Sequence, residues 1–477
     1  MTSEYPVAGR WSAGTASRDV RSPFDDSVIA TVPAFGAEDV VAAVATAKKV
    51  MTDAPLATHE RAAILDRAAL ILSERAEAVA RDLAREAAKP IGQARVEVQR
   101  AISTLTFCAA EARTFTGELV PMDAAAAGVD HLGMVLRVPI GVVGAISPFN
   151  FPLNLVAHKV GPAIAAGCAV VVKPASQTPL SALNLARVLF DAGLPMEYLS
   201  VVPGSGATVG DALVNDPDVA LISFTGSPEV GWGIRAAAPR KRVGLELGNN
   251  SPLIICADGN WKAAAAAIRL AGFAHAGQSC ISTQRILVDE SIKDQFVAEL
   301  VRQVESLVVG DPMDDATEVS ALISRSETDR VKSWVEAATA NGAVVATGGT
   351  VTEEGHLRPT VLVDADPTDD VCAHEIFGPV VVVRGFTDVK AALAEANDSH
   401  YGLQAAIFTK DIDVALWAAQ GLDYGGVLIN EVPTWRADHM PYGGLRDSGN
   451  TREGPGWAIR EMTEERLVVI KLGPGPE

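Results

Sequence analysis

Cys280 is preceded by Gly277-Gln278-Ser279, and Glu246 stands within Val243-Gly244-Leu245-Glu246-Leu247-Gly248. A thiol that follows small and polar residues suits an exposed nucleophile, given a backbone amide or helix start to help it ionise from its ordinary pKa near ~8.5. A carboxylate that ends an apolar strand is desolvated, and its pKa rises toward the general-base range. Together the pair suggests covalent catalysis followed by hydrolysis. Asn150 adds a third group. It lies in Ser147-Pro148-Phe149-Asn150-Phe151-Pro152, where two prolines can hold its side-chain amide rigidly. That amide and the Cys280 backbone N–H could form an oxyanion hole. Cys108, Cys168, Cys256 and Cys372 read as structural thiols.

These groups need a framework that brings them together. Apolar runs at 140–146, 169–173, 198–202, 221–224 and 243–247 alternate with helical stretches at 153–166, 181–189, 207–213 and 229–238. Such alternation predicts a parallel, doubly wound sheet. Ligands bind beyond the carboxyl ends of such strands. Ser147 to Asn150, Lys173 to Ser176, Gly204 to Gly206, Thr225 to Ser227 and Glu246 all fall at those ends. A second alternating region runs from near Ser251 to near Val432, and Cys280 lies early in it. The reactive pair therefore straddles a domain boundary, where clefts form.

Before the first sheet, short strands and turns precede helices near 37–49, 59–87 and 91–114. The second of these carries an Ile64, Ala68, Ile71 stripe, and the third carries Arg100 among apolar neighbours. Residues 116–133 are rich in Gly, Pro and Ala and read as a protruding two-stranded element. Arg466 to Lys471 is a β-like run that needs a partner outside its own domain.

At 477 residues, more than one core is expected. A net charge of −19 argues against nucleic acid or an anionic membrane as partner. No apolar run reaches the ~18 residues of a membrane span, and Met1-Thr2-Ser3-Glu4 lacks a basic-then-apolar signal pattern. The five cysteines are scattered and lack C-x-x-C spacing, which disfavours a disulfide framework or a metal site and fits a reducing cytoplasm.

Six ordered motifs resemble the aldehyde dehydrogenase superfamily. They are Pro148-Phe149-Asn150-Phe151-Pro152, Lys173-Pro174-Ala175, Phe224-Thr225-Gly226-Ser227, Leu245-Glu246-Leu247-Gly248-Asn249-Asn250-Ser251-Pro252, Gly277-Gln278-Ser279-Cys280 and Glu375-Ile376-Phe377-Gly378-Pro379. The resemblance covers nearly the whole chain. It implies an α/β fold of two doubly wound parallel-sheet domains plus a β oligomerisation element. The implied division is 1–117 and 140–247 for NAD(P) binding, 248–463 for catalysis, and 118–139 with 464–477 for a homodimer or homotetramer contact.

The resemblance also implies roles. Cys280 attacks a small-molecule aldehyde, Asn150 and the Cys280 amide hold the thiohemiacetal oxyanion, hydride passes to NAD or NADP, and Glu246 activates water against the thioester. Lys159 and Glu464 match positions that assist a proton path. The implied cofactor shell is Ser147, Pro148, Phe149, Lys173, Ser176, Gly206, Thr225, Gly226, Ser227, Leu247, Gly248, Glu375 and Phe377. Position 176 carries serine where NAD-preferring members carry glutamate, so a 2′-phosphate is tolerated. Arg100, Phe151, Ser279, Arg436 and His439 are the candidate substrate residues. The segment Pro433 to Gly444 resembles members that act on small polar or anionic aldehydes. Ser279 and Phe151 depart from the arginine and histidine of members that take phosphonoacetaldehyde. A coenzyme-A-acylating enzyme and a catalytically silent scaffold are the alternatives, and Glu246 disfavours the first.

Overall fold

The computed structural model describes residues 4–473; the first three residues of the expected cofactor domain and 474–477 of the expected oligomerisation element lie outside the described residues. Five strands form one parallel sheet, in the spatial order Arg242–Glu246, Val219–Thr225, Val142–Ile146, Val170–Lys173 and Leu199–Val201. Val142–Ile146 and Val170–Lys173 are buried at every position. Their unbroken apolar runs are what a sheet covered by helices on both faces requires. The Asn154–Ala166 helix is likewise buried along its whole length. Being apolar nearly all round, it is a core helix, so Asn154, His158 and Lys159 are held in the interior.

Parallel register decides where the reactive groups emerge. Thr225 pairs with Glu246, and Ile146 pairs with both Phe224 and Lys173. The carboxyl ends of these strands are therefore level. The turns that follow them share one rim of the sheet, where ligands bind in doubly wound folds.

A second sheet has seven strands, ordered Val344–Thr347, Thr360–Val363, Val380–Phe386, Arg285–Asp289, Pro252–Ile255, Gln404–Phe408 and Gly426–Ile429. All of its pairings are parallel except the first, which is antiparallel. One apolar core draws on residues from Tyr5 to Leu247 and also on Ile459 and Met462. A second draws on residues from Leu253 to Val432.

Three sequence expectations change. The helix expected over 59–87 is two, Thr58–Glu74 and Ala76–Ala87, because Arg75 leaves the helical basin (φ −100°, ψ 8°). In the first of them Ile64, Leu65, Ala68 and Leu72 are buried and Ile71 only partly, so the stripe is rotated from the expected one. The helix expected at 207–213 opens as a π turn over Gly206–Gly210 and continues as Asp211–Asn215. The protruding element has three antiparallel strands, Thr463–Lys471, His131–Pro139 and Glu118–Val120, because the carboxyl-terminal strand pairs along the full length of His131–Pro139. No helix among the described residues is long and apolar enough to cross a membrane.

Candidate active site

The loop that bears Cys280 is forced into shape. After the Trp261–Ala271 helix, His275, Ala276 and Gly277 all take left-handed backbone, with φ of 50°, 54° and 72°. For the two residues with a Cβ this costs of order 1–3 kcal/mol each. Buried hydrogen bonds hold the strain: the His275 N–H donates to Gln93 Oε1 (2.7 Å), Gln278 Nε2 to the His275 carbonyl (3.0 Å), and the Ile323 N–H to Gln278 Oε1 (2.8 Å). Any Cβ at Gly277 would collide with the Gly378 carbonyl. The Cys280 loop therefore lies directly on the turn after Glu375 and Phe377.

Cys280 is half-buried, and its Sγ lies 2.9 Å from the Tyr442 hydroxyl. Burial pushes the thiol up to about 12, with the Tyr442 hydrogen bond opposing. The thiol is thus less exposed than expected, and its surroundings hold it against ionisation. Asn150 is buried and faces the same loop. Its Nδ2 donates to the Gln278 carbonyl (2.9 Å). A side-chain amide has two N–H donors, so one remains for an oxyanion.

The Asn150 loop is fixed from beneath by a pair the sequence did not single out. Lys89 Nζ donates to the Asn150 carbonyl (2.6 Å) and to Glu97, and both charged side chains are 1% exposed. Glu97 in turn accepts from the Leu153 and Asn154 N–H groups (3.0 and 3.2 Å). The Lys89 ammonium also sits 3.8 Å from the centre of the Phe151 ring.

Glu246 is the last residue of its strand and is 3% exposed, with no hydrogen-bond partner on either carboxylate oxygen. Desolvation, then the neighbouring Glu453, raises its pKa well above the carboxylate range, against Arg436 and Lys159. Glu453 is held the other way: despite desolvation, Lys159 (3.6 Å) and Arg436 (3.1 Å) keep it ionised. Lys159 completes the cluster by donating to Ser223 Oγ (3.2 Å) and Thr225 Oγ1 (2.7 Å). The two carboxylates thus have opposed shifts, the arrangement in which one group can serve as base and the other stay ionised.

Glu464 is not part of that cluster. It lies on the Thr463–Lys471 strand with its side chain 50% exposed, paired with Arg242 at 2.8 Å. Arg242 begins the strand that Glu246 ends, and five residues of strand separate the two ends by about 13 Å. Glu453 stands beside Lys159 in its place. It lies nine positions after Gly444, in a segment with no pattern of its own, so the fold rather than the sequence identifies it.

A small cavity of about 60 Å³ joins Cys280 and Glu246 to Arg100, Phe151, Ser279, Arg436 and Tyr442. Arg100 forks onto Asp438 through Nη2 (2.9 Å) and Nε (3.2 Å). Arg436 stacks 3.8 Å over the Tyr442 ring, and its buried Nε has no partner. His439 is not in this cavity; it is exposed and stacks on Phe107 with 4.6 Å between centroids.

A larger cavity of about 480 Å³ opens from the other side of Cys280 and Glu246. Pro148, Phe149, Thr225, Gly226, Ser227, Leu247, Gly248, Glu375 and Phe377 line it. Phe149 and Phe377 meet edge to face at 5.8 Å. Glu375 is pushed up to about 7 by burial, although it accepts from the Asn249 N–H (3.1 Å). Ser227 precedes the Pro228–Ala237 helix and makes no capping bond, so the first N–H groups of that helix are unclaimed by it. Ser147, Lys173, Ser176 and Gly206 lie outside this lining. Ser147 and Lys173 are buried where their strands meet, Gly206 is exposed at the π turn, and Ser176 donates to the Gly204 carbonyl (3.2 Å). Among the described residues, no group of three or more His, Cys, Asp or Glu is placed to hold a metal ion.

The chain matches the model of the aldehyde dehydrogenase family over residues 11–468. It is 42% identical over 466 residues to a 3-sulfolactaldehyde dehydrogenase of Priestia aryabhattai, covering 98% of this chain and 97% of that one. Among solved structures, aldehyde dehydrogenase 21 of Physcomitrella patens, in complex with the reaction product succinate, superposes with a TM-score of 0.95 at 38% identity, covering 98% of each chain. Glyceraldehyde-3-phosphate dehydrogenase GapN of Methanocaldococcus jannaschii, complexed with NADP, superposes with a TM-score of 0.91 at 38% identity, covering 96% of this chain and 100% of that one. The two-sheet α/β fold and the six ordered motifs have one source: the chain belongs to the aldehyde dehydrogenase family, oxidoreductases that use NAD or NADP.

Proposed function

We propose that this enzyme oxidises a short-chain anionic aldehyde to the free acid, through a thioester on Cys280 that Glu246 hydrolyses. The observation that carries this reading is a partnerless, raised-pKa Glu246 sharing two cavities with the Cys280 thiol. Attack by sulfur on the aldehyde carbon forms the C–S bond as the thiol proton departs through the cofactor-side cavity that Cys280 lines. The free N–H of Asn150 and the Cys280 amide meet the oxygen that becomes negative. When bound, the nicotinamide cofactor supplies the hydride acceptor. Glu246 then draws a proton from water as that water attacks the thioester, the C–S bond breaks to release the acid and return the Cys280 sulfur, and the proton on Glu246 leaves toward Lys159 and Glu453. A base there favours hydrolysis over transfer to coenzyme A, and product analysis with and without coenzyme A tests that choice.

The residues present fit a dinucleotide. The uncapped Pro228–Ala237 helix start suits a pyrophosphate, and Glu375 suits ribose hydroxyls. Ser176 in place of a carboxylate, with Lys173 near it, supports NADP as the preferred form. More than tenfold preference for NAD in steady-state kinetics would sink that preference.

Arg100 and Arg436 support the anionic head group. Arg436 has donors to spare, and the cavity beside Cys280 is small. Among the similar chains, one is named for 3-sulfolactaldehyde and one is in complex with the product succinate, both short anions, while others are named for the neutral lactaldehyde. The test compares 3-sulfolactaldehyde with lactaldehyde, which lacks only the sulfonate. Arg100→Ala and Arg436→Ala should raise KM for the anionic substrate by roughly 10- to 100-fold, as expected for a lost charge-assisted hydrogen bond, and leave the neutral one nearly unchanged. Equal effects would remove both arginines from anion binding.

Assembly as a homodimer or homotetramer is supported by the three-stranded sheet, which exposes Leu119, Leu136, Leu467 and Ile470 beside an unpaired edge. Leu467→Glu should dissociate it in sedimentation. The five free cysteines suit the cytoplasm.

A further inference from the structure

Arg18 lies on the Ala16–Arg21 strand, far in sequence from every motif of the site. It lines a cavity of about 660 Å³ together with Arg21, Ser176, Gln177, Arg325 and Ser326. That cavity shares Gln177, Ile323, Ser324 and Ser326 with the cofactor-side cavity, so the two are continuous. Asp19 and Asp26 also face it, but both lie 3.6 Å from Arg21. Among the described residues Arg18 has no such partner, and its Nε is buried without a hydrogen bond. Lys173 is buried outside both cavity linings, and its Nζ donates to the neighbouring Pro174 carbonyl (3.2 Å). Burial, and after it the Arg18 charge, pushes the Lys173 ammonium down. Arg18 and Lys173 are thus neighbouring cations that no carboxylate pairs among the described residues, Arg18 lining the cavity that Ser176 lines and Lys173 buried. Such an arrangement costs stability unless an anion comes between them.

We propose that Arg18 completes a subsite for the phosphomonoester of a 2′-phosphorylated adenosine, with Lys173 and Ser176 as its other two contacts. This rests on the NADP reading of Ser176 and extends it to a residue that arrives from the amino-terminal hairpin. A guanidinium suits the task, since it meets phosphate oxygens with paired N–H donors.

Calorimetric titration of the full chain with 2′,5′-ADP and with 5′-AMP separates the claims without any turnover. The wild type should bind 2′,5′-ADP more tightly than 5′-AMP. Arg18→Gln should weaken 2′,5′-ADP by about 10- to 100-fold, the range for a charge-assisted hydrogen bond, and leave 5′-AMP unchanged. Arg18→Lys, which keeps the charge and loses the fork, should fall between. If the wild type does not distinguish the two nucleotides, the NADP reading fails and this proposal with it. If the wild type distinguishes them and both Arg18 variants do so equally well, Arg18 is excluded while Lys173 and Ser176 stand. Equal weakening of both nucleotides would also overturn it, since Arg18 would then only support the loop.

Discussion

Replacing Glu246 by glutamine separates the two halves of the reaction. The carboxylate makes no hydrogen bond to any of the described residues, so the substitution breaks none of their contacts and changes the side-chain volume little. What is lost is a base, whose contribution is typically ~10²–10⁴ in rate, or about 2.7–5.4 kcal/mol of barrier. The loss should fall on thioester hydrolysis. In stopped flow, the Glu246→Gln variant should release one equivalent of reduced cofactor per active site in a burst, then turn over slowly. Intact-protein mass after the burst should show the acyl group on Cys280. The sign of the stability change is also fixed. Glu246 has a folded pKa above its unfolded one, so its stability contribution is full below the unfolded pKa and is lost as pH rises through the folded pKa. Each unit of that elevation is worth about 1.4 kcal/mol. A neutral amide carries no such penalty, so the variant should melt no lower than wild type at pH 8, and the difference should close near pH 4. A variant with no burst, or one losing less than ~10-fold in kcat, would show that Glu246 is not the hydrolytic base.

Glu453→Gln removes the second cause of the Glu246 elevation, so the acid limb of the kcat–pH profile should move to lower pH; Glu464→Gln, at an exposed pair worth ~0–1 kcal/mol, should leave that profile in place. Asn150→Ala should cost about 10²–10³ in kcat while iodoacetamide still alkylates Cys280, a pattern that a collapsed site would not give. Lys89→Met strands the buried Glu97 carboxylate and should cost ~3–5 kcal/mol in urea unfolding, with Lys89→Met/Glu97→Gln recovering part of it.

Strand and helix alternation was legible because the sheets are buried on both faces, leaving unbroken runs such as Val170–Lys173. Glu246 and Cys280 stood out because each sits in a distinctive local context, and the fold brings both to the same two cavities. Residues that act through long-range contacts were not. Lys89 looks like any lysine after a helix, and only the fold carries its ammonium to the Asn150 carbonyl, 61 positions away. Glu453 and Glu464 are eleven positions apart, and both follow mixed polar segments with no distinctive pattern. Choosing between them requires knowing which end of the Arg242–Glu246 strand each one meets. The thiol's exposure was misjudged for a related reason: Tyr442, which encloses it, is 162 positions distant.

The pairing of Thr463–Lys471 with His131–Pro139 has a consequence for how the protein is made. Pro139 and Thr463 are register partners, yet more than three hundred residues of chain must be synthesised between them. At about 5–20 residues per second this interval is roughly 16–65 s. Throughout it, the apolar strand that holds Met134, Val135 and Leu136 has an open edge on the side its carboxyl-terminal partner will cover. Ile459 and Met462 are missing from the first core for the same interval. The amino-terminal half therefore leaves the ribosome complete in sequence but unfinished in structure. A chain truncated before Thr463 would keep every reactive side chain discussed above and still present an adhesive sheet edge to its neighbours.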